Sequence, residues 1–204
     1  MMIKLYDFTL SGHAHRVRLM LSLLELDYER IEVALAKGEQ RSEEFLKLNP
    51  FHHVPVLEED GLVIRDSNAI ITYLAKKHAK EWYPDDAVSS TRIHEWLSVA
   101  TKELSEGPGA ARLVNVFGAS LDHQAVIDKS HELFTIMNEH LNKNEWFALD
   151  RISVADIALY TYTAHAPEGD VSLHDYPHIL AWISKIEALK GFVGMPNTAV
   201  GLAA

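Results

Sequence analysis

Ser11 stands where a side chain could act on a bound ligand. It follows a predicted strand over residues 3–8 and precedes a segment whose apolar residues fall at helical spacing. Its ordinary role is an N-cap, in which the hydroxyl oxygen accepts a backbone N–H of the first turn. The same location favours a thiolate, because the helix dipole and the exposed N–H groups stabilise negative charge on sulfur. The sequence contains no cysteine, so a thiol held there has to be brought by a substrate.

Val54 and Pro55 stand at the start of a predicted strand, after a loop that contains His52 and His53. A proline that opens a strand is ordinary, and most X–Pro bonds are trans. Adjacent histidines in a polar loop are usually solvated. Without further information, these residues indicate only the boundary between a loop and a strand.

Asp66 and Ser67 open a predicted helix that carries Ile70, Ile71 and Leu74. The simple interpretation is helix capping, since short polar side chains satisfy the first N–H groups. The pair also suits a zwitterionic ligand. Ser67 and the neighbouring amides would bind a carboxylate at the helix N-terminus, and Asp66 would pair with an ammonium group.

Ser153 and Asp156 form the pattern of a capping box, with Ile152 and Ile157 placed as a hydrophobic staple. Both features fix the start of a helix. We therefore assign this segment to stability and not to catalysis.

The twelve histidines raise the question of a metal site. His13 and His15 are two residues apart and would not share a helix face. His174 and His178 are four apart, but Pro177 lies between them and no carboxylate completes an HExxH pattern. We predict that no metal is bound.

The chain divides into two halves with different periodicity. Residues 1–78 alternate strand and helix patterns in the order β-α-β-α-β-β-α, and residues 79–90 form a polar linker. Residues 91–204 have helical patterns only. The first of these helices should kink or break at residues 107–109, because they read Gly-Pro-Gly. The predicted fold class is α/β plus all-α, a small α/β domain followed by a helical bundle.

Composition and charge exclude several classes of protein. The formal net charge of −10 argues against nucleic acid as a partner, because phosphate binding requires a basic face. No segment approaches the roughly 20 apolar residues of a membrane span. The N-terminus carries Lys4 and Asp7 and does not read as a signal peptide, so we expect a cytoplasmic protein. The lack of cysteine excludes a thioredoxin-like disulfide oxidoreductase.

Taken together, the motifs and the two halves resemble the cytosolic glutathione transferases over essentially the whole chain. The fold of that family is a thioredoxin-like domain joined to a helical bundle. The serine motif makes the chain similar to bacterial, serine-type members. Four motifs carry the resemblance: SGHAHRVR at 11–18, NPFHHVPVL at 49–57, DSNAI at 66–70 and SVAD at 153–156.

The resemblance implies that glutathione is the co-substrate and that Ser11 is the catalytic residue that activates its thiol. It implies a cis bond before Pro55, which exposes the Val54 backbone to the cysteinyl part of glutathione. It also implies a basic side chain at the glycyl carboxylate and an acidic-serine pair at the γ-glutamyl end. The implied glutathione-binding residues are His52, Val54, Pro55, Asp66 and Ser67.

Tyr6 is a rival to Ser11 as the residue that activates the thiol. Tyrosine-type members of the family use a tyrosine near the end of the first strand. Tyr6 lies one residue off the register that the match of Ser11 and Gly12 implies, so we prefer Ser11.

The resemblance further implies a groove between the domains for a small hydrophobic electrophile. We expect the apolar tail around Phe192, Val193 and Met195 to close this groove. The candidate pocket residues are Phe8, Thr9, Leu10, Leu104, Arg112 and Phe117.

The expected activity is addition of the glutathione thiolate to the electrophile, or related isomerase or peroxidase chemistry, in a detoxification role. The alternative is a non-catalytic interaction or regulatory protein with the same fold. The resemblance also implies a homodimer, because the family commonly pairs two subunits beside each glutathione site.

Overall fold

The computed structural model describes residues 2–204 and contains one mixed sheet of four strands in the order β2-β1-β3-β4. β1 and β2 are parallel and are connected by a helix, whereas β3 pairs antiparallel with both β1 and β4. Leu5 at the centre of β1 is completely buried. The strands are β1 (Ile3–Asp7), β2 (Tyr28–Glu32), β3 (Val56–Glu59) and β4 (Leu62–Ile64).

In residues 2–204, three α-helices accompany the sheet and five follow it. This arrangement confirms the predicted α/β domain followed by a helical domain. Within residues 2–204, no helix has the length and apolar content needed to cross a membrane. The helices are α1 (Gly12–Leu23), α2 (Glu43–Leu48), α3 (Ser67–His78), α4 (Ala87–Thr101), α5 (Ala110–Phe117), α6 (His123–Leu141), α7 (Val154–Ala164) and α8 (Pro177–Glu187).

The helical segment expected from about residue 91 begins earlier, at Ala87. Asp86 is the reason, because its carboxylate accepts the Ser89 N–H at 2.9 Å and caps α4. The first helix ends at Thr101, before the kink or break expected at residues 107–109. The sequence motif Gly107-Pro108-Gly109 lies within a π-helical turn, Ser105–Gly109, which leads directly into α5.

The main hydrophobic core runs through both halves of the chain. α1 packs against both α3 and α7. Val17, Met20 and Leu21 of α1 are completely buried, as their helical spacing predicts. Because α1 belongs to both halves of the core, its N-terminus is held at a fixed place between them.

The C-terminal tail contacts α1. His15 bonds through Nε2 to the Val193 carbonyl at 2.9 Å, and Ser22 donates to the Gly191 carbonyl at 2.7 Å. Met195 is buried. The tail therefore packs on α1, and the prediction that it closes a groove between the domains is wrong.

The predicted capping box at the start of α7 is confirmed. Asp156 is completely buried, and its two oxygens accept bonds from the Ser153 and Phe147 backbone N–H groups and from the Trp182 ring N–H. One carboxylate thus joins the preceding loop, α7 and α8.

Asp156→Asn should lower the free energy of unfolding by about 2–4 kcal/mol. The amide has one acceptor oxygen in place of two, so buried N–H groups lose their partner. Urea denaturation followed by circular dichroism measures the change. Asp122→Asn is the matched control, because Asp122 is an exposed N-cap and asparagine caps helices equally well. Equal stability of the two variants would contradict a special role for Asp156.

Candidate functional site

A cavity of about 730 Å³ lies between the sheet domain and the helical domain. The structure brings all but two of the predicted site residues to its wall. Those two are Thr9 and Leu104. The predicted residues that line the cavity are Phe8, Leu10, Ser11, His52, Val54, Pro55, Asp66, Ser67, Arg112 and Phe117.

Ser11 is the N-cap of α1. Its hydroxyl oxygen accepts the Ala14 N–H at 3.2 Å. Within residues 2–204, no group accepts the Ser11 hydroxyl proton, and the Gly12 N–H has no hydrogen-bond partner. The capping role and a role toward a ligand are therefore compatible, because the cap uses the oxygen and leaves the O–H as a donor. An anion beside Ser11 would also meet the positive end of α1.

Tyr6 lies away from this point. Its hydroxyl donates to Glu58 at 3.1 Å, and the residue does not line the cavity. Burial is the largest of the causes that raise its pKa, and the hydrogen bond to Glu58 adds to it.

The Val54–Pro55 peptide bond is cis, as expected. Both residues are buried in the cavity wall. In the described part of the chain, neither the N–H nor the C=O of Val54 has a hydrogen-bond partner. A buried backbone pair of this kind needs a partner, and an extended peptide ligand in the cavity would supply one.

The N-terminus of α3 forms another part of the wall. Asp66 caps the helix by accepting the Ala69 N–H at 2.8 Å, and its side chain is exposed to the cavity mouth. Ser67 is buried beside it. A carboxylate would be stabilised at this helix end, and the Asp66 carboxylate would favour an ammonium group next to it.

Arg16 holds Ser67 in place, and no role was predicted for it from the sequence. Its guanidinium donates to Ser67 Oγ at 2.9 Å, to Asn68 Oδ1 at 2.7 Å and to the Ala158 carbonyl at 2.6 Å. In residues 2–204, no carboxylate pairs with Arg16 and no acceptor bonds to its Nε. Burial lowers the pKa of Arg16 to about 10, which still leaves it charged.

Three histidines line the cavity, but they differ in their surroundings. His52 and His53 are exposed at its rim, and His52 has a positive φ of 59°. His13 lies deeper, with Nδ1 3.5 Å from Ser67 Oγ. Burial, with a smaller effect from the charge of Arg16, lowers the pKa of His13 to about 3, so its imidazole is neutral near pH 7.

The other end of the cavity is apolar. Phe8 and Phe117 lie with ring centroids 6.2 Å apart, and Leu10 is close to them in the wall. Arg112 stands behind this surface, ion-paired with Glu168 and donating to the Leu10 carbonyl at 2.9 Å. This end suits a hydrophobic molecule, since its charged residue is already paired.

Thr9 and Leu104 lie outside the cavity, which corrects their assignment to the pocket. The Thr9 N–H and hydroxyl both donate to Glu32, at 2.9 Å and 3.1 Å, so this residue turns toward β2. Leu104 is completely buried in the main core. In both cases the neighbouring residue in the sequence faces the cavity side instead, Leu10 after Thr9 and Ser105 after Leu104.

Within residues 2–204, no three His, Asp or Glu side chains converge as they would around a metal ion. The cavity instead offers two helix N-termini, an unpaired backbone segment and an apolar end. That combination suits a peptide-like anion lying along the wall, with a hydrophobic molecule beside it.

Comparisons with known proteins agree with this geometry. The chain matches the family model described as the N-terminal domain of glutathione S-transferase over residues 1–76. It matches the model for the C-terminal domain of the same family over residues 120–190. Glutathione S-transferase 3 of Zea mays is 31% identical over 206 residues, covering 93% of this chain and 91% of the relative.

Solved structures are also similar. A possible glutathione S-transferase from Rhodopseudomonas palustris has a TM-score of 0.87 and 33% identity, with 97% of this chain and 100% of that chain covered. A glutathione transferase homologue from Drosophila mojavensis, solved with bound glutathione, has a TM-score of 0.85 and 28% identity. Here 92% of this chain and 88% of that chain are covered.

Arg16→Lys should lower the free energy of unfolding by about 2–4 kcal/mol. Lysine keeps the charge, but its single ammonium group cannot replace the planar guanidinium that bonds to three acceptors. Buried oxygens therefore lose their donor. Urea denaturation measures the effect. Arg41→Lys, at an exposed arginine, should change stability by less than about 0.5 kcal/mol. If Arg16→Lys were as stable as Arg41→Lys, the guanidinium would not organise this part of the site.

Proposed function

We propose, because this chain belongs to the glutathione S-transferase family, that its cavity binds glutathione with the thiol beside Ser11. The chain is a glutathione transferase, and Ser11 stabilises the thiolate for attack on a small hydrophobic electrophile. One observation carries the proposal. The hydroxyl of Ser11 lies in the cavity at the N-terminus of α1, with its proton free to donate.

The chemistry proposed for Ser11 is stabilisation of an anion without a covalent enzyme intermediate. The thiol of glutathione loses its proton to solvent, and the Ser11 hydroxyl donates a hydrogen bond to the resulting sulfur anion. The unpartnered Gly12 N–H and the positive end of α1 add to the stabilisation. Holding the thiolate next to the electrophile supplies the remaining rate enhancement.

We assign the rest of the tripeptide to the wall of the sheet domain. The free N–H and C=O of Val54, positioned by Pro55, would bind the cysteinyl backbone. Ser67 would bind the γ-glutamyl carboxylate at the N-terminus of α3, and Asp66 would pair with its ammonium group. His52 at the rim would face the glycyl carboxylate. The support is the spacing of these groups around one cavity.

The apolar end of the cavity is the proposed electrophile subsite. Phe8, Leu10 and Phe117 supply its surface, with Arg112 behind them. The alternative of a non-catalytic interaction protein is not favoured, since the cavity retains the serine and the groups around it. Related isomerase or peroxidase chemistry would use the same thiolate.

We also propose a homodimer in the cytoplasm that acts in detoxification and uses no metal. The two domains would comprise residues 1–78 and 91–204, joined by residues 79–90. The separate matches of the two family models support this division. Family membership supports the dimer and the detoxification role.

Ser11→Ala should raise the pKa of the bound glutathione thiol by on the order of one unit. A free thiol ionises at about pH 8.5, and one hydrogen bond to the sulfur accounts for about 1 kcal/mol of the difference. The absorbance of the thiolate, titrated against pH with saturating glutathione, reads this value. In the wild type the bound thiol should ionise below the free one.

Ser67→Ala is the contrast for this titration. It should weaken glutathione binding by roughly tenfold or more, because a charge-assisted hydrogen bond is lost, and leave the pKa of the bound thiol unchanged. A thiol pKa that rises with Tyr6→Phe and not with Ser11→Ala would transfer the role to Tyr6. If the wild type bound no glutathione, the non-catalytic protein would become the better account.

The dimer should appear in sedimentation equilibrium as a species near twice the 23.0 kDa of the chain. Two-fold dimers are the commonest closed assemblies of soluble proteins. The measurement is made at micromolar concentration with glutathione present and absent. A single species at the mass of one chain would refute the dimer without affecting the assignment of Ser11.

A further inference from the structure

Tyr162 of α7 reaches the cavity from the helical domain, next to Ser11. The residue is only 7% exposed, and it is part of the cavity wall. A Cβ atom added to Gly12 would lie 2.6 Å from its Cε1 and 2.7 Å from its Cζ. The hydroxyl end of the ring therefore occupies the space that any other residue at position 12 would fill, directly beside the N-cap of α1.

Two further contacts fix the ring. His13 meets it edge to face, with centroids 5.1 Å apart and an interplanar angle of 77°. A Cβ at Gly109 would lie 3.6 Å from its Cδ1. The ring of Tyr162 thus packs against both the start of α1 and the π-helical turn.

The hydroxyl of Tyr162 is available as a donor. In the described part of the chain, no side chain or carbonyl accepts its proton. Burial raises its pKa, against the opposing effects of the Arg16 and Arg112 charges and of the His13 backbone N–H. The phenol therefore stays protonated near neutral pH, and its O–H is the only polar hydrogen that it brings to the cavity.

We propose that Tyr162 is a second hydrogen-bond donor to the glutathione sulfur, acting together with Ser11. This inference rests on the proposed function, since it requires glutathione to bind with its thiol at the N-terminus of α1. The thiol proton leaves to solvent, and both hydroxyls keep their own protons and donate them in hydrogen bonds to the thiolate. The activating pair would thus come from both domains.

Tyr162→Phe tests the proposal because it removes one oxygen and keeps the ring against Gly12. We expect the pKa of the bound glutathione thiol to rise by on the order of one unit, a tenfold change in the thiolate equilibrium or about 1.4 kcal/mol. The affinity for S-methylglutathione, which has no ionisable thiol, should stay within about twofold. Tyr6→Phe, at a tyrosine whose hydroxyl faces Glu58, should change neither quantity.

Ring-fluorinated tyrosine at position 162 provides a second test that does not remove the hydroxyl. A more acidic phenol is a stronger donor, so the pKa of the bound thiol should fall. The same analogue at position 6 should have no effect. This measurement decides the question if Tyr162→Phe fails to fold.

The outcomes separate this inference from the proposed function. If Ser11→Ala raises the thiol pKa while changes at Tyr162 leave it in place, Tyr162 is only part of the cavity wall and the inference is overturned. In that case the proposed function stands. If wild-type protein binds S-methylglutathione but forms no thiolate, or binds neither ligand, both proposals fail together.

Discussion

The buried guanidinium of Arg16, which pairs with no carboxylate in residues 2–204, connects helices of both domains. Arg16 of α1 lies at the interface between the two domains. Its hydrogen bonds go to Ser67 and Asn68 of α3 and to the Ala158 carbonyl of α7. Asn68 extends the connection by donating to the Leu97 carbonyl and to Thr101 Oγ1 at the end of α4. A charge in a low-dielectric interior requires such partners, and the requirement fixes four helices relative to one another.

The hydrogen bonds of Arg16 at this interface determine the geometry of the site. The N-termini of α1 and α3 open onto the same cavity because Arg16, in α1, holds the start of α3 through Ser67. Tyr162 lies one turn beyond Ala158 on α7, so the hydrogen bond from Arg16 to Ala158 also sets the position of the phenol. Gly12 then allows the aromatic ring to approach the first turn of α1. The N-termini of two helices, Ser11 and Tyr162 thereby line the same cavity.

The features visible in the sequence are those with local causes. The strand pattern of residues 3–8, the cap at Ser11 and the capping box at Ser153 depend on neighbours within a few positions, and the structure contains all three. Asp86 is also a local N-cap, but the polar segment around it obscured the start of α4. Thr9 and Leu104 were misplaced because sequence spacing puts a residue near a site without deciding which way it faces. Arg16 and Tyr162 were missed, since their roles depend on partners about 150 positions away in the sequence.

The order in which a ribosome makes this chain determines when the partners of α1 in the C-terminal tail become available. His15 is buried in the first long helix, yet its two ring nitrogens bond to Thr161, 146 residues later, and to the Val193 carbonyl, 178 residues later. Because the ribosome releases the N-terminal part first, the sheet can pair while the polar side of α1 still lacks these partners. The emerging chain must keep that side hydrated until Val193 has left the ribosome. The first long helix is therefore fully dehydrated only after the segment around Val193 has been made.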